Sequence, residues 1–368
     1  MRANRLKEKI AAGVPAYGLF VSIPHPVAVE MIGHADYDFV IIDREHASTS
    51  METTESLIRA AELTGMTPLV RVAGAERTEI LKVLDCGAQG IVIPHVECRE
   101  QVEEVVRCAF YHPIGRRSLN SGRPAAFAKH SLTAYIARAN EALLIVPMIE
   151  SAEGVARRAS ILSAPHVGFV LEGAADLSQS LGVPWDTGHP EVMRQLELLH
   201  EASQRCGVPY ATVSRSADGH RLWAEKGVRI FVLGDDRNTA FRAYRGKRDD
   251  YVAATREAVA SAANSGSKTE VTATTVDGAS APGGVKADGA GTTVEGAAER
   301  GGRADGIATT VDGASAPGGV KADGAGTTVQ GAAERGGRAD GIWLAAEAAA
   351  RQAAEGPKPI AGKKGEGG

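Results

Sequence analysis

Short runs of apolar, mostly β-branched residues recur along the first 262 residues, and polar segments with a helical period separate them. Residues 51–65, for example, place apolar side chains at i, i+3 and i+4 and end in a glycine, as amphipathic helices do. The apolar runs cover residues 16–23, 37–43, 67–72, 90–96, 143–150, 167–173, 208–214 and 228–236.

Continuous apolar strands that alternate with helices are typical of a parallel sheet buried on both faces. Eight such units within about 250 residues predict a closed (β/α)8 TIM barrel. The alternative is an open doubly wound sheet, which normally carries a glycine-rich phosphate loop after its first strand. Residues 22–30, SIPHPVAVE, contain no such loop and favour the barrel.

The composition changes near residue 262, which predicts a catalytic domain at 1–262 and a Gly/Ala-rich tail at 263–368. Within the tail, residues 273–307 recur as 308–342 with one difference, Glu295 against Gln330. These repeats have few large apolar side chains to offset the entropy of ordering, so we expect disorder. A β-solenoid or a calcium-binding repeat is the alternative.

Charge and cysteine usage exclude several kinds of partner. The formal net charge is −4 and no long Lys/Arg cluster occurs, which argues against a nucleic-acid partner. No run approaches the 18 to 20 apolar residues of a membrane span. The four cysteines lack metal-ligand spacing, so we interpret them as reduced thiols of a cytoplasmic protein.

Polar side chains collect where the predicted strands end. In a TIM barrel the carboxyl ends of the strands surround the active site, so these side chains are expected on one rim. Any one of them could instead form a structural ion pair. They are Asp43, Glu45, His46, Arg71, His95, Glu150, Glu172 and Asp176.

The combination of groups points to one type of chemistry. Glu150 and Asp176 could hold a divalent cation such as Mg²⁺ or Mn²⁺ through carboxylate oxygens. Arg71 is a permanently charged donor for an oxyanion. His46 titrates near neutrality, and Asp43 could orient it. Together these groups fit the formation of an enolate from a 2-oxo acid.

Five segments carry a family resemblance: YDFVIIDREHAS, LVRV, GAQGIVIPHVE, IVPMIES and GAADLSQSLG. In order and spacing the chain resembles, over residues 5–255, the class II pyruvate aldolases typified by 4-hydroxy-2-oxoheptanedioate aldolase. The resemblance implies a TIM barrel that forms a domain-swapped homo-oligomer, in which a C-terminal helix packs against a neighbouring copy. The expected assembly is made of dimers and could be as large as a hexamer.

The resemblance also implies roles for individual residues. Glu150 and Asp176 match the metal ligands, and Arg71 matches the residue that stabilises the substrate carbonyl and enolate. The backbone around Ala174 and Ala175 matches the segment that receives the substrate carboxylate. The acid/base pair is matched by His46 with Asp43, and Glu45 matches an acid that organises metal-bound water.

The chain departs from the aldolase pattern at four positions near the site. Met148 stands where Gln is common, Ala174 where Pro is common, Glu172 where an apolar residue is common, and Arg44 where a small residue is common. Arg44 has no assigned task and is the first position to examine for altered specificity. The segment GLFVSIPHP, at residues 18–26, resembles a siderophore-associated branch that condenses oxaloacetate with acetyl-coenzyme A to form citrate.

The loop HPIGRRSLNSGR, at residues 112–123, leaves two interpretations open. Arg116, with Arg117 and Arg123, could bind a second substrate carboxylate or a coenzyme phosphate. The alternative is a solvated basic loop.

We therefore predict a metal-dependent carbon–carbon lyase acting on a 2-oxo acid. Citrate formation is the alternative, with acetyl-coenzyme A as a second substrate, and a non-catalytic barrel that displays the tail is the third hypothesis.

Removal of residues 264–368 should leave activity and thermal stability nearly unchanged, because the tail offers little apolar surface to the core. Activity and thermal melting of the truncated and full chains test this expectation. A large loss of either property would contradict it.

Overall fold

The first and last strands of the sheet pair with each other, so the sheet closes on itself. In the computed structural model, which describes residues 3–266, eight parallel strands follow one another in chain order around a barrel. They are β1 (Ala16–Val21), β2 (Phe39–Asp43), β3 (Thr67–Arg71), β4 (Gly90–Ile93), β5 (Leu144–Ile149), β6 (Val170–Glu172), β7 (Tyr210–Val213) and β8 (Ile230–Asp235). The predicted (β/α)8 barrel is confirmed, and the open-sheet alternative is wrong.

One helix precedes β1, helices connect consecutive strands, and one further helix follows β8. They are α1 (Arg5–Ala12), α2 (Pro26–His34), α3 (Met51–Thr64), α4 (Arg77–Asp85), α5 (Arg99–Ala109), α6 (Leu132–Ala142), α7 (Ala152–Ala156), α8 (Arg158–Leu162), α9 (Ala174–Ser180), α10 (Pro190–Cys206), α11 (Ala217–Glu225) and α12 (Asp236–Gly266). A 3-10 helix covers Arg123–Ala128 in the long connection between β4 and β5.

The strands bury side chains on both faces, which explains their continuous apolar sequences. Ile41 and Leu69 belong to the group that fills the barrel interior. Their neighbours Ile42 and Val70 belong to the larger group between the barrel and the surrounding helices. Each such side chain contributes about 1.5–3 kcal/mol when fully buried.

Local capping signals determine where the helix after β2 begins and ends. The hydroxyl of Ser50 accepts a hydrogen bond from the amide of Thr53 at 3.1 Å and starts α3. Gly65 ends that helix at φ 83°, a left-handed conformation that glycine adopts without steric penalty. Residues 44–50 are consequently left as a loop at the carboxyl end of β2.

The predicted boundary near residue 262 stays a prediction, since the tail and its repeats lie outside the described residues. Within residues 3–266, no helix is both long enough and apolar enough to cross a membrane.

Glycine is required at position 18 because β1 approaches a ring of β2 there. A Cβ at Gly18 would lie 2.2 Å from Cε2 of Phe39, whose side chain is fully buried. We expect Gly18→Ala to lower the free energy of unfolding by about 1–3 kcal/mol through overpacking. Urea unfolding of both proteins measures this difference.

Gly74→Ala is the matched control, since a Cβ at Gly74 would meet no atom within 4 Å. That variant should unfold within about 0.5 kcal/mol of the wild type. Equal losses in the two variants would contradict the packing argument.

Candidate active site

Several of the buried charges lie at the carboxyl ends of the barrel strands. Asp43 is the last residue of β2, Arg71 is the last of β3, and the two are paired in register across the sheet. Glu150 directly follows β5. Asp43 and Glu150 are each 2% exposed and Arg71 is 7% exposed, so the rim holds charges that bulk water does not solvate fully.

Asp43 and Arg71 form a two-point ion pair. Nε of Arg71 donates to Oδ1 of Asp43 at 3.1 Å, and Nη2 donates to Oδ2 at 2.8 Å. The Asp43 carboxylate also accepts the backbone amides of Glu45 and His46. Burial alone would raise the pKa of Asp43, but Arg71 and these amides hold that pKa below its usual range.

Glu45 links the other polar groups of the rim. Its carboxylate lies 3.3 Å from Nη1 of Arg71 and 3.0 Å from Nε2 of His95. Nε2 of His46 lies 3.7 Å from the same carboxylate. In the described part of the chain the His46 ring thus contacts Glu45, whereas Asp43 bonds only the His46 backbone. These contacts give no support to the hypothesis that Asp43 orients the His46 ring, which stays a prediction.

His95 lies inside this cluster of charged side chains. The sequence alone did not decide whether His95 has a structural or a functional role. Its amide donates to Oε1 of Glu150 at 2.7 Å, and its Nδ1 lies 3.4 Å from the same oxygen. Its backbone has φ 51°, a conformation that costs a non-glycine residue about 1 kcal/mol or more. The contacts with Glu45 and Glu150 hold His95 in that conformation. Its position two residues beyond β4 was the available sequence signal.

Glu150 is a buried carboxylate surrounded by other acids. Burial, opposed by His95 and reinforced by the charges of Asp176 and Glu45, raises the pKa of Glu150 to about 7. Asp176 lies in the first turn of α9 and is half-buried. A Cβ at Gly173 would lie 2.5 Å from Oε2 of Glu150, so only glycine lets the β6–α9 turn approach this carboxylate.

The donor set around Glu150 fits a divalent cation. Within residues 3–266, no group of three or more His, Cys, Asp and Glu side chains has the arrangement of a metal cage, and no Lys or Arg forms an ion pair with Glu150. The repulsion of Asp176 and Glu45 that raises the Glu150 pKa is the charge imbalance that a bound cation would relieve. Two carboxylates, with water and substrate completing the shell, suit Mg²⁺ or Mn²⁺.

Apolar and aromatic groups complete the floor under Arg71. Cζ of Arg71 lies 4.7 Å from the centre of the Phe20 ring, and Nη1 lies 4.0 Å from the sulfur of Met148. Met148 thus occupies, next to the guanidinium, the place where the resemblance implies Gln. The sequence did not predict Phe20 as a residue of the site, because an aromatic residue in an apolar strand gives no signal of a site.

The segment predicted to bind a substrate carboxylate is partly engaged within the chain. The amide of Ala174 donates to Oε2 of Glu172 at 2.7 Å. The amide of Ala174 thus already has an acceptor within the chain. The role of the segment around Ala174 and Ala175 in binding a substrate carboxylate stays a prediction.

The chain order places Arg116 away from this rim. Its loop follows α5, and chain that follows a helix lies at the opposite end of a barrel from the strand carboxyl ends. The neighbouring arginines form ion pairs, Arg117 with Asp85 at 2.8 Å and Arg123 with Glu62 at 2.7 Å. These contacts favour the structural interpretation of the loop, and the substrate contact of Arg116 stays a prediction.

Arg44 points away from the rim. Its Nε lies 3.0 Å from Oε1 of Glu79 on α4, and its Nη1 donates to Thr49 and Thr54. Arg44 therefore fastens the β2–α3 loop to the helices, and the expectation that it alters specificity has no support in its contacts.

The sequence matches a known protein family over most of the barrel. Residues 16–243 match the family described as HpcH/HpaI aldolase/citrate lyase. The chain belongs to this family. The prediction of an enzyme of the class II aldolase type is thereby confirmed.

The individual relatives include aldolases and a citrate synthase, which are the two activities predicted from the sequence. The chain is 31% identical to a hydroxypyruvate/pyruvate aldolase of Delftia acidovorans over 64% of its length and 87% of that protein. It is 33% identical to a 2-keto-3-deoxy-L-rhamnonate aldolase of Salmonella gallinarum over 53% of its length and 73% of that protein. Among solved structures, the citrate synthase SbnG is similar with 38% identity and a TM-score of 0.63, covering 69% of this chain and 98% of that one.

The Asp43–Arg71 pair should make stability depend on pH. Because the pKa of Asp43 is lowered in the folded protein, its stabilising effect is present above the ordinary aspartate pKa of 3.8 and is lost as the pH falls through the folded value. Asp43→Asn should therefore destabilise the protein most near neutrality, with the difference shrinking below about pH 4. Urea unfolding across this range measures the effect. A constant difference would contradict the assignment.

Proposed function

We propose that this protein is a divalent-metal-dependent carbon–carbon lyase that acts through the enolate of pyruvate or a related 2-oxo acid. The observation that carries the proposal is the buried Glu150 carboxylate beside Asp176, on the same rim as the Asp43–Arg71 pair. The named aldolases among the relatives support the same reaction class.

The metal site would consist of Glu150 and Asp176, and the bound Mg²⁺ or Mn²⁺ would supply Lewis acidity toward the 2-oxo group. Gly173 keeps the α9 turn against Glu150, so both carboxylates belong to one short stretch of rim. Glu45 is the acid available to hold water next to that pair.

Arg71 is the group suited to the negative charge that develops on the enolate oxygen. Asp43 holds the guanidinium from one side and Glu45 from another, so its direction is fixed before substrate arrives. A preorganised charged donor of this kind is worth roughly 10²–10³ in rate.

His46 is the candidate for proton transfer. Its side chain is 57% exposed at the rim, and its Nε2 lies 3.7 Å from the Glu45 carboxylate. In the cleavage direction His46 would take the proton of the hydroxyl on C4, the C3–C4 bond would break, and its electron pair would form the enolate. Return of the proton to C3 then gives the 2-oxo acid and an aldehyde.

Citrate formation from oxaloacetate and acetyl-coenzyme A is the second candidate. The observation that favours it is the 38% identity with the citrate synthase SbnG over most of the barrel, higher than the identity with the aldolases above. The position of Arg116 removes one argument for a coenzyme site on the rim. A role in siderophore biosynthesis belongs to this second candidate.

A homo-oligomer in the cytoplasm is the proposed form of the protein. The 31-residue helix α12 carries large apolar side chains that are exposed in one copy, which supports its packing against a second copy. They are Phe241, Tyr244, Tyr251 and Val259.

Exchange of the pyruvate methyl protons in deuterated water tests the enolate proposal. With Mg²⁺ or Mn²⁺ the wild type should catalyse exchange, and Glu150→Ala should reduce it by at least about a hundredfold because a metal ligand is lost. Proton NMR measures the exchange rate. Glu153→Ala is the matched control, since Glu153 forms an exposed ion pair with Arg157 and should tolerate the change.

A parallel assay with oxaloacetate and acetyl-coenzyme A distinguishes the two candidates. Citrate production without aldol cleavage of 2-oxo-acid substrates would replace the first candidate by the second. Absence of both reactions in a protein that binds metal would contradict both and favour the scaffold hypothesis.

A further inference from the structure

An ion pair between a buried carboxylate and a partly exposed guanidinium joins the ends of β6 and β7 beside the candidate site. Glu172, the last residue of β6, is fully buried, and Arg215 lies two residues beyond β7. Nη1 and Nη2 of Arg215 donate to the two oxygens of Glu172 at 2.8 Å and 3.1 Å. The pair thus has the two-point geometry of a strong guanidinium–carboxylate contact.

Glu172 is not placed to touch a substrate. Side chains alternate along a strand, and Val170 belongs to the layer between barrel and helices while Leu171 belongs to the interior. Glu172 therefore faces the outer layer, as Val170 does. Its remaining hydrogen bonds are all to the chain, from the hydroxyl of Thr212 at 3.1 Å, the amide of Val213 at 2.8 Å and the amide of Ala174 at 2.7 Å.

The bond to Ala174 replaces a missing helix cap. Helices usually begin with a side chain that accepts one of the first amides, but α9 is preceded by Gly173, which has no side chain. Gly173 cannot be replaced, because any Cβ would collide with Glu150. The acceptor for the first amide of α9 is supplied instead by Glu172, one residue earlier.

We propose that Glu172 and Arg215 are positioning residues that hold the first turn of α9, and with it Asp176, in place for metal binding. The inference rests on the proposed function, in which Asp176 is a metal ligand. Glu172 fastens the residue two positions before Asp176 to the end of β7. Arg215 neutralises the carboxylate, which could not otherwise remain charged in this buried position beside the acids of the rim.

The double variant Glu172→Leu/Arg215→Leu tests this role. Replacing both partners by apolar residues leaves no unpaired charge buried, so the variant should still fold. Its thermal stability should be lower than that of the wild type, because the hydroxyl of Thr212 and the amides of Val213 and Ala174 lose their acceptor. Mn²⁺ binding, measured by calorimetry, should also weaken by about tenfold or more, as expected when support for a metal ligand is lost. Amides of residues 174–177 should exchange with deuterium faster than in the wild type.

The ion pair of Asp85 and Arg117 provides a matched control at the opposite end of the barrel. Asp85→Leu/Arg117→Leu should leave Mn²⁺ affinity and exchange at residues 174–177 unchanged. Glu172→Gln and Arg215→Lys keep part of the hydrogen bonding and should give intermediate Mn²⁺ affinities, which preserves the test if the double variant does not fold.

The proposal would be overturned if a folded Glu172→Leu/Arg215→Leu variant showed unchanged Mn²⁺ affinity and unchanged amide exchange. The ion pair would then have a role in packing alone. If the wild type binds no Mn²⁺, the proposed metal-dependent function fails. The exchange of residues 174–177 then still decides whether Glu172 and Arg215 hold the turn, so the two failures are distinguishable.

Discussion

The pairing of β1 with β8 is the constraint on which the rest of the structure depends. It removes both edges of the sheet, and it brings the carboxyl ends of strands that are far apart in sequence onto one rim. Asp43 ends β2, whereas His95 and Glu150 follow β4 and β5, and all three still belong to one group linked by Arg71 and Glu45. Without closure, the ends of the first and last strands would lie at opposite edges of an open sheet.

The charges on this rim are arranged in pairs because burial makes an unpaired charge costly. Arg71 balances Asp43 and contacts Glu45, and Arg215 balances Glu172. Glu150 is the exception, since burial, together with the acids Asp176 and Glu45, raises its pKa to about 7. The proposal of a metal site at Glu150 rests on this cluster of acids in an otherwise balanced rim.

Glycine and strain set the geometry around that excess charge. Gly173 allows the backbone to approach Glu150, and His95 holds a left-handed conformation to present its amide to the same carboxylate. Neither feature stabilises the barrel itself. Both are maintained by the packed strands on which they stand, as is usual for constrained residues at functional sites.

The sequence by itself determined the barrel, because buried parallel strands must be apolar on both faces and their period differs from that of helices. It also identified Asp43, Glu45, His46, Arg71, Glu150 and Asp176 as candidates, since charged side chains at strand ends are conspicuous there. Which partner each charge takes was decided by tertiary structure alone. His46 contacts Glu45, Arg44 turns to α4, and the loop of Arg116 lies at the far end of the barrel. Those outcomes depend on side-chain direction and on distances between segments remote in sequence, and neither is encoded in local pattern or spacing.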